Sequence, residues 1–175
     1  MASKTIMYHK PLAYGIRAPQ LKKIAQNNPN LDVKQVKAII ESILKDTTRR
    51  VVKIMRKWIN SKVPKMTGRL RRDLLRHLKD SYVSSSVLRI FIQTSIDYAK
   101  RVNDFETFNV RHKGKRVKYR GKTYILHDFR AIGHFFDKMV PFAIKTIIYN
   151  LDQMKKRYAS RTKMNYQEMQ IIKLW

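Results

Sequence analysis

Catalysis or metal binding in this chain would have to be built from five histidines (His9, His77, His112, His127, His134) and a thin scatter of carboxylates. A zinc enzyme places two histidines one helical turn apart beside a glutamate, and structural zinc needs short Cys or His spacings. No histidine pair here has such a spacing. With no Cys, thiolate sites and disulfides are excluded. His127 and His134 form the nearest pair, at a separation more usual for surface or core histidines. A nuclease would need clustered carboxylates to hold Mg²⁺. The densest group is Asp97, Asp104 and Glu106, but Lys100 and Arg101 stand beside it as ready ion-pair partners. No catalytic lysine follows at a familiar spacing, and there is neither a Gly-rich phosphate loop nor a nucleophile motif. These residues predict no enzyme, no cofactor and no metal.

Phosphate contact is the chemistry the residues do support. Arg111, Lys113, Lys115, Arg116, Lys118, Arg120 and Lys122 follow one another with no acid between them, interleaved with Val110, Val117, Tyr119 and Tyr124. A basic ribbon of this kind can lie against phosphates, each neutralised phosphate releasing counterions. It carries no base-reading motif, so any contact would be independent of sequence. The same pattern would also describe a solvated hairpin tip. The charge is not confined to this ribbon. The chain has 39 Lys+Arg against 12 Asp+Glu, a net charge of +27, and only the stretch from about Ser86 to Glu106 is balanced. Such an excess repels itself unless nucleic acid or acidic protein surfaces lie opposite. An apolar share of 43% is too high for a disordered chain.

The elements that would carry these residues follow from periodicity. Residues 1–31 hold Pro11, Pro19 and Pro29 and no acid, and end in the turn cluster Asn27-Asn28-Pro29-Asn30. They predict an extended N-terminal arm with one short helix around Pro19–Gln26. Asp32 and Gln35 make a capping box for a long helix. Val33, Val36, Ile40, Ile43, Val51, Ile54 and Trp58 recur along it at helical spacing, ending before Pro64. Its other face carries Lys37, Lys45, Arg49, Arg50, Lys53, Arg56 and Lys57, with few acids one turn away to pair them. Thr67 is placed to cap a short helix running to about Leu78, and Val87–Gln93 reads as a buried strand. Asp97–Val102 reads as a weaker strand or short helix. Phe108–Leu126 reads as hairpin, with bends at Lys113-Gly114-Lys115 and Arg120-Gly121-Lys122. A second long helix is expected over about Phe129–Tyr158, kinked or split at Pro141. Residues 159–175 predict a basic C-terminal tail whose apolar end, Ile171, Ile172, Leu174 and Trp175, would dock on another subunit. The fold class is therefore α+β, with two long helices packed on a small antiparallel β-sheet and extended N- and C-terminal arms. The single domain would span 32–158.

Two short motifs within this frame resemble a known family. Pro64 to Leu74 fits the pattern P-x-x-T-G-x-L-R-x-S/D-L, and Tyr98-Ala99-Lys100-Arg101-Val102 fits Y-A-x-x-V. With their flanking helices they resemble the head–tail connector and tail-completion proteins (minor tail or neck proteins) of tailed bacteriophages, over roughly residues 32–157. The positions carrying the likeness are Pro64, Thr67, Gly68, Leu70, Arg71, Tyr98, Ala99 and Val102. After Y-A-x-x-V that family often has an acidic residue and then Gly-Thr, where this chain has Asn103-Asp104-Phe105-Glu106-Thr107. Physically, Gly68 would let the chain turn into the helix that Thr67 caps, and Leu70 and Leu74 would anchor it. Arg69, Arg71 and Arg72 would face a partner.

The resemblance implies a structural subunit that forms a ring in the phage neck and does no chemistry. Its partners would be other copies of itself, portal or adaptor proteins and tail proteins, with non-specific contact to passing DNA. Its place would be the virion, after assembly in the host cytoplasm. No apolar run approaches the ~18 residues of a membrane span, and Met1-Ala-Ser-Lys-Thr-Ile lacks the apolar core of a signal peptide. A non-enzymatic nucleic-acid-binding protein of ribosomal or DNA-condensing type would share the charge and the arms but not the motif pair.

Overall fold

The computed structural model describes residues 11–63, 68–96, 99 and 134–174, together with the backbone of 116–119 and 122–125. It has the α+β class expected, with four helices and a four-stranded antiparallel sheet among the described residues. Strand β1 (Leu12–Gly15) leads into helix α1 (Ala18–Asn27), then the long helix α2 (Val33–Lys62) and α3 (Arg69–Lys79). Strands β2 (Tyr82–Ser84) and β3 (Val87–Ile90) follow, then β4 (Arg116–Tyr119) and β5 (Lys122–Ile125). The chain closes with the long helix α4 (Phe135–Thr162), a 3₁₀ turn (Tyr166–Glu168) and β6 (Ile172–Lys173).

Contacts divide the chain into two compact units. One draws on the stretches Ile54–Lys79 and Ile92–Phe142, the other on Lys10–Lys53, Asp80–Phe91 and Ala143–Trp175. The second unit holds the four-stranded sheet, in the order β2-β3-β1-β6. β1 sits inside it, pairing Leu12 with Ile90 and Gly15 with Val87 on one side, and Tyr14 with Lys173 on the other. All four β1 residues are buried, as a strand covered on both faces must be. At Gly15 the neighbouring strand comes so close that a Cβ would stand 2.6 Å from the Ser86 carbonyl oxygen. β2 and β3 join through Ser85 and Ser86, both with positive φ (51° and 58°), the pair of left-handed residues a two-residue hairpin turn requires.

The helix starts follow their local chemistry. The Asp32 amide donates to Gln35 Oε1 at 2.8 Å while the Gln35 amide donates to Asp32 Oδ1 at 2.7 Å, the capping box read from the sequence. α2 then buries Val36, Ile40, Ile43, Leu44 and Val51 in the sheet-bearing unit, and Met55 and Ile59 in the other. α1 occupies the short helix expected after Pro19, burying Leu21 and Ile24. α4 runs through Pro141 as one helix and is not split there; residues 129–133, where it was expected to begin, lie outside the described residues.

Two boundaries differ from those expected. Residues 11–31 do not stand apart as an arm, because β1 is an inner strand and Tyr14 and Ile16 are only 4% exposed; residues 1–10 lie outside the described residues. The stretch from residue 159 is not a detached tail. β6 extends the sheet, the Leu174 amide donates to the Ala13 carbonyl at 2.9 Å, and Met164 and Met169 are buried. Residues 172–174 therefore pair through their backbone with this chain's own β1, with the Ile172 side chain exposed, and Trp175 lies outside the described residues. Glu168 ties the same segment to α1, accepting from Asn27 and Asn28 at 3.2 Å each, and Tyr166 donates to Asp152 on α4.

Candidate functional site

The Pro64–Leu74 motif lies in the unit that contains the end of α2. Val63 is fully buried at the end of that helix, and the Arg71 side chain returns to it, Nε donating to the Val63 carbonyl at 2.7 Å. Gly68 has φ 75°, a left-handed value that glycine adopts without cost, and its carbonyl accepts the Arg72 amide to open α3. Leu70, Leu74 and Leu78 are then buried one helical face apart. Pro64 and Thr67 lie outside the described residues, so the proposed cap does too.

Arg71 departs from its expected role. It was expected to face a partner, but it is half-buried and clasps the turn from within, and burial pushes its guanidinium pKa down. A guanidinium held at 2.7 Å from a buried carbonyl positions the turn and leaves α3 to present Arg69 and Arg72, which are exposed.

Asp73, at the S/D position of the motif, is the residue that sequence reasoning passed over. It is 8% exposed, and its Oδ2 accepts from the Thr94 hydroxyl at 2.7 Å and the Ser95 amide at 2.8 Å. Its Oδ1 accepts from Arg76 at 2.9 Å and lies 3.4 Å from the Ser95 hydroxyl. Charge-assisted bonds of this kind are about twice as strong as neutral ones. They fasten α3 to the segment that leads into Tyr98-Ala99. The Ile96 carbonyl accepts the amide of Ala99, which is fully buried, and beside the same helix His77 Nδ1 and Gln93 Nε2 approach to 3.1 Å. Tyr98 and Val102 lie outside the described residues. The S/D in the motif was the available signal, since a short acceptor at that point on α3 is what a neighbouring chain turn needs.

The basic ribbon is in part a hairpin, as read. β4 and β5 pair antiparallel, with Arg116 opposite Ile125, Val117 opposite Tyr124, Lys118 opposite Thr123 and Tyr119 opposite Lys122. That register leaves residues 120–121 as the connection, at the second of the two bends expected. Arg111, Lys113, Lys115 and Arg120, and with them the first bend, lie outside the described residues.

A second concentration of cations lies where α2 meets α4 in the sheet-bearing unit. The Tyr158 hydroxyl donates to Asp46 Oδ2 at 2.8 Å, joining the two helices, and Arg49 stands 3.5 Å from Asp46 Oδ1. Burial, then the bond to Asp46 and its charge, raise the Tyr158 pKa, while Arg161 and Arg157 pull it down from close by. Lys45, Arg49, Arg50, Lys53, Arg157 and Arg161 are all exposed around this junction.

Among the described residues no group of three His, Asp or Glu is placed to hold a metal ion, and no helix is long and apolar enough to cross a membrane. No protein-family model, no curated protein and no solved structure matches this chain.

Proposed function

We propose that this chain is a structural, ring-forming subunit of the neck of a tailed bacteriophage, of the head–tail connector or tail-completion kind, lining or supporting the DNA passage. The observation that supports this reading is the Asp73 cluster. The two motif-bearing stretches, some thirty residues apart in sequence, fall in one unit, and the acceptor of the first, Asp73, is bonded to Thr94 and Ser95, which precede the second. That bond ties the first motif to the chain just ahead of the second. The rest of that cluster is structural in kind: a left-handed glycine, a half-buried guanidinium and a saturated carboxylate, holding a turn and presenting arginines. On this reading the neighbours are copies of the same chain and the portal-adaptor and tail proteins, with the β4–β5 ribbon and the exposed helix cations facing DNA or acidic protein.

The test is the state of association of the purified full chain. Sedimentation velocity should give one discrete species of several chains, and an Asp73→Ala variant should lose it while Arg89→Gln, in the sheet-bearing unit, keeps it. A chain that stays monomeric at every concentration, with duplex DNA present as well as without it, overturns the ring.

A further inference from the structure

The junction of α2 and α4 has a composition that few surfaces of a soluble protein tolerate. Six cations, Lys45, Arg49, Arg50 and Lys53 on α2 and Arg157 and Arg161 on α4, are exposed on the stretches that flank the Asp46–Tyr158 bond, and Asp46 is the one acid within them. That carboxylate is already committed, to the Tyr158 hydroxyl at 2.8 Å and to Arg49 at 3.5 Å. The nearest other acid on this part of α2, Glu41, stands 4.0 Å from Lys37. The cations come from two separate helices, and the Tyr158–Asp46 bond ties those helices together between them. Along α2 the positions 45, 49 and 53 follow at intervals of four, a ridge about 12 Å long on one face.

We propose that this patch binds the phosphate backbone of duplex DNA. Large apolar residues exposed among the described residues are Val33, Tyr82, Ile148, Tyr149 and Ile172, and none falls within 45–53 or 157–161. A protein partner is normally gripped by a buried apolar or aromatic centre, with lysine depleted there. A phosphate backbone asks for the reverse: dense, exposed, flexible cations with no apolar centre. Cations carried on two bonded helices are spread over a surface, which suits a duplex better than the narrow, aromatic-lined groove that single strands use. With no base-reading arrangement, binding is indifferent to sequence. This inference does not depend on the ring, since one chain carries the whole patch.

Fluorescence anisotropy with a random-sequence duplex tests it. Neutralising the six residues to Gln should weaken binding by about 100-fold or more at moderate salt and lower the salt slope by about five, at roughly 0.9 per phosphate contact. A control chain with six other exposed lysines neutralised (Lys22, Lys34, Lys79, Lys138, Lys145, Lys173) should lose less than about tenfold. Equal losses in the two variants overturn the patch and leave only diffuse charge. Tighter binding of the parent to polyglutamate or to single-stranded DNA than to the duplex overturns it as well. In the unaltered chain, bound duplex should shield Lys45 and Lys53 from acetylation more than Lys22 and Lys34, a readout that no folding defect can imitate. Equal shielding counts against the patch. Failure of ring formation with this shielding intact would remove the ring alone.

Discussion

At Gly68 one residue decides whether α3 can begin where it does. Its φ of 75° is the left-handed region, where a Cβ costs energy and a β-branched side chain costs most. Gly68→Val should therefore destabilise the fold by about 1–3 kcal/mol, read as a lower urea midpoint at unchanged slope; an unchanged midpoint would refute the role given to this glycine. Two tyrosines set a second expectation. Burial raises the pKa of Tyr14, and burial with the bond to Asp46 raises that of Tyr158, so folding favours the neutral phenol in both. The stability this supplies is fully present below the free phenol value of about 10. It is lost as pH rises through the raised folded values. Melting temperature should fall above pH ~10, and Tyr158→Phe should fall less steeply there than the parent. Coincident profiles for the two would show that Tyr158 carries none of this dependence.

At the scale of elements, the C-terminal segment is the clearest departure from a purely local view. It holds β6, the Tyr166–Asp152 bond and the Glu168 bonds to Asn27 and Asn28. Deleting residues 163–175 should thus lower the melting temperature of the whole sheet-bearing unit and expose β1 to proteolysis near Leu12–Gly15. A truncated chain that melts like the parent would mean the segment is merely laid on the surface.

The helices were legible because their signals are local. Asp32 and Gln35 sit three apart, the apolar stripe of α2 keeps helical spacing, and Pro64 ends it. β3 was legible from the run Val87–Gln93, of which Val87–Ile90 forms the strand. β1 was not, since four residues between Pro11 and Pro19 are too few to show alternation, and their partner lies some seventy-five residues on. β6, two residues long, has no pattern to read at all. The same holds at the candidate site. Gly68 announced its backbone by its type, whereas Arg71 and Asp73 took their roles from Val63, Thr94 and Ser95, which only the folded chain brings near.

For the whole molecule the governing quantity is the charge of +27. Surface ion pairs offset little of it: Lys37–Glu41, Arg49–Asp46 and Lys156–Asp152 join neighbouring turns of a helix and are largely solvated. Closing several such chains around one axis would multiply the repulsion unless anions sit between them. DNA along the axis, or acidic neighbours above and below, would supply those anions. Ring formation and charge neutralisation are thus linked, and assembly should be favoured by a polyanion and opposed by its removal.

The most direct measurement is negative-stain microscopy of the purified full chain, alone and with short duplex DNA, followed by classification of single particles. The proposed function predicts closed annular particles of one rotational symmetry, more abundant with DNA present. Compact single-chain particles under both conditions, or irregular DNA-driven clusters without symmetry, would contradict it.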